Sequence, residues 1–177
     1  MTTFDIDAKF GTPYNQRFIQ FLKYVQKEDL TCDGAMTDPK GDRGLPPHQQ
    51  KDPDLFLRIV EEREDGIVVR GAKAHQTGAL NSHEIIVMPT ISMKEADQNY
   101  AVSFAVPSDT DGLIYIMGRQ SCDLRKAEGG DMDQGNLFFG GHEALIVFDD
   151  VFVPWERVFM FKEYDFVFAG DIHSYFP

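Results

Sequence analysis

The chain has 177 residues, a formal net charge of −12, 42% hydrophobic residues and 12% aromatic residues. This composition is typical of a globular domain with a real core and excludes an intrinsically disordered chain. The acidic balance argues against nucleic acid and anionic membrane surfaces as partners, because both require a basic face. One anionic cofactor, held locally by a few cations, remains compatible with it.

The amino terminus, Met-Thr-Thr-Phe-Asp-Ile-Asp, has neither the basic nor the apolar segment of a signal peptide. No apolar run reaches the roughly 18 residues that a membrane-spanning helix needs. Cys32 and Cys122 are far apart, with no CxxC motif and no His beside them. We therefore expect free thiols, a cytoplasmic location and no metal site made by this chain alone.

One amphipathic helix is predicted at residues 13–28. Thr12 is placed to cap it, and Pro13 suits its first turn. Apolar residues recur at three- and four-residue spacing and predict one buried face, formed by Tyr14, Phe18, Phe21, Leu22 and Val25.

Residues 31–54 are rich in turn-forming residues and predict a long loop. A loop of this length in a compact domain is either functional or disordered. The acidic residues Asp33, Asp38 and Asp42 lack the alternating spacing of an EF-hand, so a calcium site is not predicted.

The middle of the chain predicts several short strands. Two β-branched runs around the Asp65-Gly66 turn predict a hairpin of residues 55–63 and 67–74. Further strands are predicted at 84–90, 100–106, 112–117 and 144–148, with a helical turn within 91–99 and a second long loop at 119–136. Asp149-Asp150 is predicted to turn the chain. Together these elements favour a mainly β (α+β) fold, a small antiparallel barrel or sandwich preceded by one helix.

The polar segment between the runs 67–69 and 85–87 is rich in hydrogen-bonding groups. Gly71 and Gly78 allow the backbone to turn or to approach a ligand closely. Two interpretations remain open here: an ordinary connection between strands, or a binding loop presented by them. The donors and acceptors are those of His75, Gln76, Thr77, Asn81, Ser82 and His83.

Two segments resemble the middle β-barrel domain of acyl-CoA dehydrogenase-like flavoproteins. Val-Val-Arg-Gly-Ala-Lys-Ala-His-Gln-Thr-Gly (68–78) is similar to its Gly-x-Lys and Thr-Gly arrangement. Leu-Ile-Val-Phe-Asp-Asp-Val-Phe-Val-Pro-Trp-Glu-Arg-Val (145–158) is similar to its Phe-Asp-Asp-Val-x-Val-Pro signature. Residues 33–43, 72–78, 118–123 and 140–145 resemble the 4-hydroxyphenylacetate 3-hydroxylase/4-hydroxybutyryl-CoA dehydratase branch, and the dehydratase in particular.

The resemblance extends from about residue 1 to about residue 166 and implies the middle part of a larger enzyme. Residues 1–30 would be a remnant of an N-terminal helical domain, 31–165 the flavin-binding β-barrel domain, and 166–177 a divergent tail. The implied cofactor is FAD, and Glu143 matches a catalytic glutamate, although an ordinary exposed carboxylate at a strand edge is the alternative. The implied flavin contacts are Met36, Thr37, Asp38, Pro39, Lys40, Gly41, Asp42, Arg43, His75, Gln76 and Thr77.

These residue types suit a flavin, because Thr77 offers a hydroxyl donor while Lys40 and Arg43 can neutralise phosphate or an anionic ring. In the dehydratase, a [4Fe–4S] cluster is held by three Cys and one His, and Cys32 and Cys122 match none of these ligands. The implied partners are an acyl-CoA thioester in the intact enzyme and either a second copy or a complementary helical chain. The alternatives are one subunit of a split flavoenzyme and a truncated β-module without catalysis.

Overall fold

The computed structural model describes residues 3–117, 124–128 and 143–167. In this part of the chain two helices precede eight strands. None of the described helices is long and apolar enough to cross a membrane. The elements are α1 (Thr3–Phe10), α2 (Tyr14–Glu28), β1 (Cys32–Ala35), β2 (Arg58–Glu62), β3 (Gly66–Thr77), β4 (Glu84–Val87), β5 (Val102–Pro107), β6 (Leu113–Met117), β7 (Glu143–Pro154) and β8 (Val158–Phe161).

The strands form two four-stranded sheets that pack face to face. The first sheet has the order β1-β4-β5-β8, and the second has the order β2-β3-β7-β6. β1 runs parallel to β4, and the other described pairs are antiparallel. Both sheets contribute to one core, whose fully buried members include Val69, Ile85, Phe104, Ile146 and Phe148.

The mainly β (α+β) prediction is confirmed, but the described strands form two layers and not a closed barrel. The edge strands β1 and β8 are only four residues long. Such short edges offer few main-chain groups to a further strand. The two sheets are held together by the side chains of the shared core.

The N-terminal region contains two helices, so the prediction of a single helix is not confirmed. α1 has eight residues, of which Ile6 alone is buried. Ile6 joins Tyr14 and Met160 in a small apolar cluster beside the main core. With one buried residue in two turns, α1 has no apolar periodicity that the sequence could show. Its packing depends on the tertiary contact of Ile6.

The predicted helix at 13–28 is confirmed as α2, but Asp7 caps it and not Thr12. The Asp7 carboxylate accepts hydrogen bonds from the backbone N–H groups of Tyr14 and Asn15, at 3.0 Å and 2.9 Å. The Thr12 hydroxyl donates to the same carboxylate at 2.6 Å. A carboxylate here satisfies two free N–H groups and complements the helix dipole, which a lone hydroxyl does less well.

The apolar face of α2 lies on the first sheet. Phe18 and Phe21 contact the Phe159 ring, with ring centroids 5.2 Å and 5.5 Å away. Val25 packs against the same cluster. Leu22, predicted on this face, is 38% exposed. The buried stripe is therefore narrower than the apolar pattern indicated.

Two loop predictions are corrected by strand pairing. The start of the predicted loop at 31–54 forms β1, which pairs with β4 over four residues. The predicted turn at Asp149-Asp150 is wrong, because β7 continues through it. Asp150 has a φ of 54° and lies where the register between β3 and β7 shifts. An Asp tolerates this conformation, so the two acidic residues bend the strand without ending it.

Candidate functional site

The eight residues Met36–Arg43, hereafter the pocket loop, line one pocket of about 780 Å³. The pocket also has walls from residues 44–47, Phe56 and Thr90, Ile91 and Ser92. Its volume is in the range of sites for small molecules and cofactors. The structure thus brings together eight of the predicted flavin contacts: Met36, Thr37, Asp38, Pro39, Lys40, Gly41, Asp42 and Arg43.

The other three predicted contacts lie at the end of β3, beside the start of the pocket loop. The Ala74 N–H donates to the Thr37 carbonyl at 2.8 Å. Gln76 Nε2 donates to the same carbonyl at 3.3 Å. The β3 register shifts between Lys73 and Gln76, and His75 within this bulge has a φ of 56°. Such a conformation is uncommon outside glycine and concentrates at functional sites.

The three side chains at the end of β3 have different surroundings. His75 and Thr77 are exposed, so their polar groups are open to a ligand. Gln76 is 2% exposed, and its amide nitrogen donates to the carbonyls of Ala74 and Thr37. Gln76 therefore holds the loop start, while the residues lining the 780 Å³ pocket include none of these three.

Glu143 begins β7 and is exposed, and it pairs with Thr77 in the strand register. The two residues are thus neighbours at one end of the second sheet. Of the segments that carry the resemblance, 118–123, which includes Cys122, and the first half of 140–145 lie outside the described residues, as does the tail from residue 168. Within the described ranges, no three His, Cys, Asp or Glu side chains are grouped to hold a metal ion.

Lys73 belongs to this site, although sequence reasoning did not assign it there. Its side chain is 3% exposed, and Nζ donates to the Met36 carbonyl at 3.1 Å, the Asp38 carboxylate at 2.6 Å and the Met88 carbonyl at 3.0 Å. Burial lowers the pKa of Lys73, and the charge and hydrogen bond of Asp38 oppose that shift. The available signal was the position of Lys73 on the same strand face as the apolar residues Ile67 and Val69, since buried lysines are rare.

Gln50 holds the far end of the pocket loop. Its Oε1 accepts from the Asp42 N–H at 3.0 Å, and its Nε2 donates to the carbonyls of Asp42 and Leu45, both at 2.9 Å. A Cβ on Gly41 would lie 2.3 Å from Gln50 Oε1 and 2.4 Å from Leu55 Cδ2. A side chain at position 41 would therefore have to displace the Gln50 amide that holds the loop. No motif in the sequence pointed to Gln50.

The mouth of the pocket is locally basic in a strongly acidic chain. Lys40 and Arg43 are exposed and line the pocket, and neither has a carboxylate partner within the described ranges. The acidic side chains nearby are engaged, because Asp38 pairs with Lys73 and Asp42 Oδ1 accepts from the Gly44 N–H at 2.8 Å. Two exposed cations beside a polar loop, with no carboxylate partner in the part of the chain that the structure describes, suit an anionic group such as phosphate.

Comparison with known proteins gives close relatives for nearly the whole chain. It is 69% identical over 166 residues to 4-hydroxybutyryl-CoA dehydratase/vinylacetyl-CoA-Δ-isomerase of Clostridium aminobutyricum, covering 93% of this chain and 34% of that protein. An oxygen-tolerant archaeal 4-hydroxybutyryl-CoA dehydratase from N. maritimus has a TM-score of 0.82 at 58% identity, covering 93% of this chain and 33% of that one. The chain thus spans about a third of the length of these relatives.

A solved flavoprotein in the same group was crystallised with the cofactor that the resemblance implies. It is the oxygenase component (HpaB) of 4-hydroxyphenylacetate 3-monooxygenase complexed with FAD, with a TM-score of 0.74 at 28% identity over 93% of this chain and 34% of that one. An acyl-CoA dehydrogenase from Geobacillus kaustophilus, at 19% identity and a TM-score of 0.51, shares the fold alone.

The family model described as 4-hydroxyphenylacetate 3-hydroxylase N terminal matches residues 1–160. This match covers most of the chain, and it agrees with the relatives found by sequence and by structure. The chain therefore belongs to the 4-hydroxyphenylacetate 3-hydroxylase family, and its resemblance to the dehydratase branch is confirmed.

Proposed function

We propose that this chain is the FAD-binding β-domain of a flavoenzyme of the 4-hydroxybutyryl-CoA dehydratase/vinylacetyl-CoA Δ-isomerase type. The observation that carries the proposal is the pocket whose loop presents Lys40 and Arg43, neither of which has a carboxylate partner among the described residues. The 69% identity to the dehydratase favours this activity over hydroxylation.

The residues present suit FAD. The pocket loop would hold the cofactor, and Lys40 and Arg43 would meet its phosphates as charge-assisted donors. Thr77 and His75, both exposed at the end of β3, would contribute polar groups to a flavin edge. Gln76 and Asp38 would support the loop from behind, because their polar atoms already bond to the protein. When bound, FAD supplies one- and two-electron transfer.

Direct titration tests the cofactor site. We expect FAD to bind the isolated chain in the micromolar range or more weakly, because each ordinary hydrogen bond contributes only about 1 kcal/mol and the chain spans about a third of its relatives. Lys40→Met and Arg43→Met should each weaken binding about fivefold, whereas Lys23→Met on the exposed side of α2 should not. Submicromolar binding would contradict the expectation of weak FAD affinity. Unchanged affinity in both Lys40→Met and Arg43→Met would refute the assignment of the FAD site to this pocket.

Glu143 is proposed as the catalytic carboxylate that takes a proton from an acyl-CoA thioester. It is exposed beside Thr77, so a substrate could reach both residues from one side. The chain by itself is not expected to dehydrate 4-hydroxybutyryl-CoA, because no cluster ligands are recognisable in it. An anaerobic assay of crotonyl-CoA formation, after reconstitution with iron, sulfide and FAD, tests this expectation. Turnover by the single chain would refute it.

A second candidate is a subunit that functions only with a complementary helical chain or a second copy. Ile114 and Ile116 on the edge strand β6 are 49% and 56% exposed, which favours association through that face. The anaerobic assay separates the two candidates when it is repeated with a second protein, encoded by a reading frame adjacent to the gene for this chain. Turnover that appears only after this addition would establish the split enzyme, and continued inactivity would leave the single β-domain as the better account.

A further inference from the structure

The pocket loop is held at both ends by buried side chains that lie outside it. Lys73 reaches it from β3 at the Met36 and Asp38 end, and Gln50 reaches it from a following segment at the Asp42 end. A surface loop in a compact domain normally has few such contacts and moves readily. The pocket loop has these two in addition to the Gln76 amide, which donates to the Thr37 carbonyl, and each replaces water with a donor or an acceptor of the protein.

We propose that Lys73 and Gln50 are positioning residues, which hold the pocket loop as a preformed wall so that Lys40 and Arg43 meet the anionic ligand without a prior ordering step. The choice of FAD as that ligand rests on the proposed function. The anchoring itself does not, because it follows from contacts within the chain.

Lys73 connects three segments at one point. Nζ has three hydrogens, and each has an acceptor: the Met36 carbonyl, the Asp38 carboxylate and the Met88 carbonyl. Thr90, on the opposite wall of the pocket, also contacts the acceptors of Lys73. Its hydroxyl lies 3.4 Å from both the Met36 carbonyl and Asp38 Oδ2. With all its donors used and its side chain buried, Lys73 sets the distance between two walls and does not touch the ligand.

Gln50 acts on the main chain of the loop in the manner of a neighbouring strand. Its amide accepts from Asp42 N–H and donates to Asp42 and Leu45 carbonyls, so the path between Lys40 and Arg43 is fixed on both sides of Asp42. Gly41 lies directly against the Gln50 amide and the Leu55 side chain, so the loop is also packed against these two residues. Preorganisation of this kind raises affinity because ordering costs are not incurred on binding.

The test uses the full chain and compares Lys73→Met, Gln50→Ala and the double variant Lys73→Met/Asp38→Leu. Hydrogen exchange should accelerate at the Ala74 N–H in Lys73→Met and at the Asp42 N–H in Gln50→Ala. Each single variant should bind FAD about tenfold more weakly. The double variant should recover stability, because no buried charge is left unpaired, but should not recover affinity.

A pH profile separates positioning by Lys73 from a general effect on folding. The groups that face Nζ are the Met36 carbonyl and the Asp38 carboxylate from the loop and the Met88 carbonyl from the segment after β4. The Thr90 hydroxyl lies beside Asp38. Lys73 must stay charged to keep all three contacts, and burial lowers its pKa. Wild-type affinity for FAD should therefore fall at an alkaline pH that lies below the ordinary lysine pKa of about 10.4. Gln50→Ala should retain this alkaline limb, and Lys73→Met should lose it.

Two results would overturn the proposal. One is that Lys73→Met and Gln50→Ala both bind FAD as tightly as the wild type. The other is that the Ala74 and Asp42 amides exchange hydrogen at the wild-type rate in these variants. If the wild-type chain binds no FAD, the proposed function fails, but the exchange measurement still decides whether Lys73 and Gln50 hold the loop. Faster exchange in the variants would then support the anchoring without the cofactor.

Discussion

Two ion pairs of similar length have different roles at the two ends of β4: Lys73 of the first bonds to Met88, just after the strand, and Glu84 of the second is its first residue. Lys73 and Asp38 are 2.6 Å apart, with side chains 3% and 9% exposed. Arg157 and Glu84 are 2.7 Å apart, with side chains 23% and 2% exposed. The first pair holds a loop at the candidate site, whereas the second lies under α2, where the Arg157 guanidinium lies over the rings of Phe21 and Tyr24.

The difference follows from the geometry of the two cations. An ammonium is a compact charge whose three hydrogens can each bind a separate carbonyl or carboxylate, so Lys73 can fix the main chain at three points. A guanidinium is flat, so Arg157 can pair with Glu84 at its edge and still contact rings through its face. Lysine therefore suits the enclosed position behind the loop, and arginine suits the junction between a helix and a sheet.

The largest effect is expected from removing the enclosed cation. Lys73→Met should lower the free energy of unfolding by about 3–5 kcal/mol, because Asp38 is left charged and buried without a partner. Urea denaturation followed by circular dichroism measures the change. Adding Asp38→Leu should restore most of the loss, and a double variant as unstable as the single one would show that packing, and not charge, dominates.

At the helix junction, the apolar contacts should matter more than the ion pair. Phe21→Ala should cost about 3 kcal/mol, because the ring is 5% exposed and packs on Phe159. Leu22→Ala, at a neighbouring exposed position of α2, is the matched control and should change stability by about 0.5 kcal/mol or less. Equal effects of the two substitutions would mean that α2 is not attached through the Phe21 face.

The second ion pair should be weaker than the first. Glu84→Gln should cost about 1–2 kcal/mol, since the amide can still accept a hydrogen bond and the partly exposed Arg157 keeps contact with water. Thermal unfolding of this variant, measured beside Lys73→Met, compares the two pairs directly. A loss as large as that of Lys73→Met would show that partial exposure of the cation does not reduce the penalty.

Asp33 should show the smallest effect, with the opposite sign, because it is a buried carboxylate without a cation. It is 8% exposed, and within the described residues its Oδ2 has no hydrogen-bond partner. Burial raises its pKa, while a hydrogen bond from the Gly34 backbone partly opposes this. Asp33→Asn should therefore stabilise the chain at pH 7 by about 1 kcal/mol.

The pH dependence at Asp33 follows from the direction of that shift. A pKa raised on folding means that the folded state binds the proton more tightly, so the stability contributed by Asp33 is complete below the ordinary Asp pKa of about 4. It is lost as the pH rises through the raised folded pKa. Unfolding free energies of wild type and Asp33→Asn should converge at acid pH, and a constant difference across this range would contradict the burial of Asp33.

Local sequence patterns determined much of the sheet architecture and part of the site. The Asp65-Gly66 turn and the β-branched runs around it predicted the β2–β3 hairpin, because both signals act over a few residues. The amphipathic pattern predicted α2 for the same reason. The family motifs identified the pocket loop, whose eight predicted members do line one pocket.

Tertiary structure decided whatever depends on a partner far along the chain. The β1–β4 pairing joins residues near 33 and 85, and Lys73 meets acceptors from the segments at 36–38 and 88. Asp7 caps α2 across an intervening turn, and at the bulge in β7 the Asp150 carboxylate binds Arg70 from β3. Residue type and local spacing do not predict which distant residues meet, because these contacts form only when the two sheets pack together. Gln50 is the clearest case: its sequence context is an ordinary loop, and its role appears only when its amide meets Asp42.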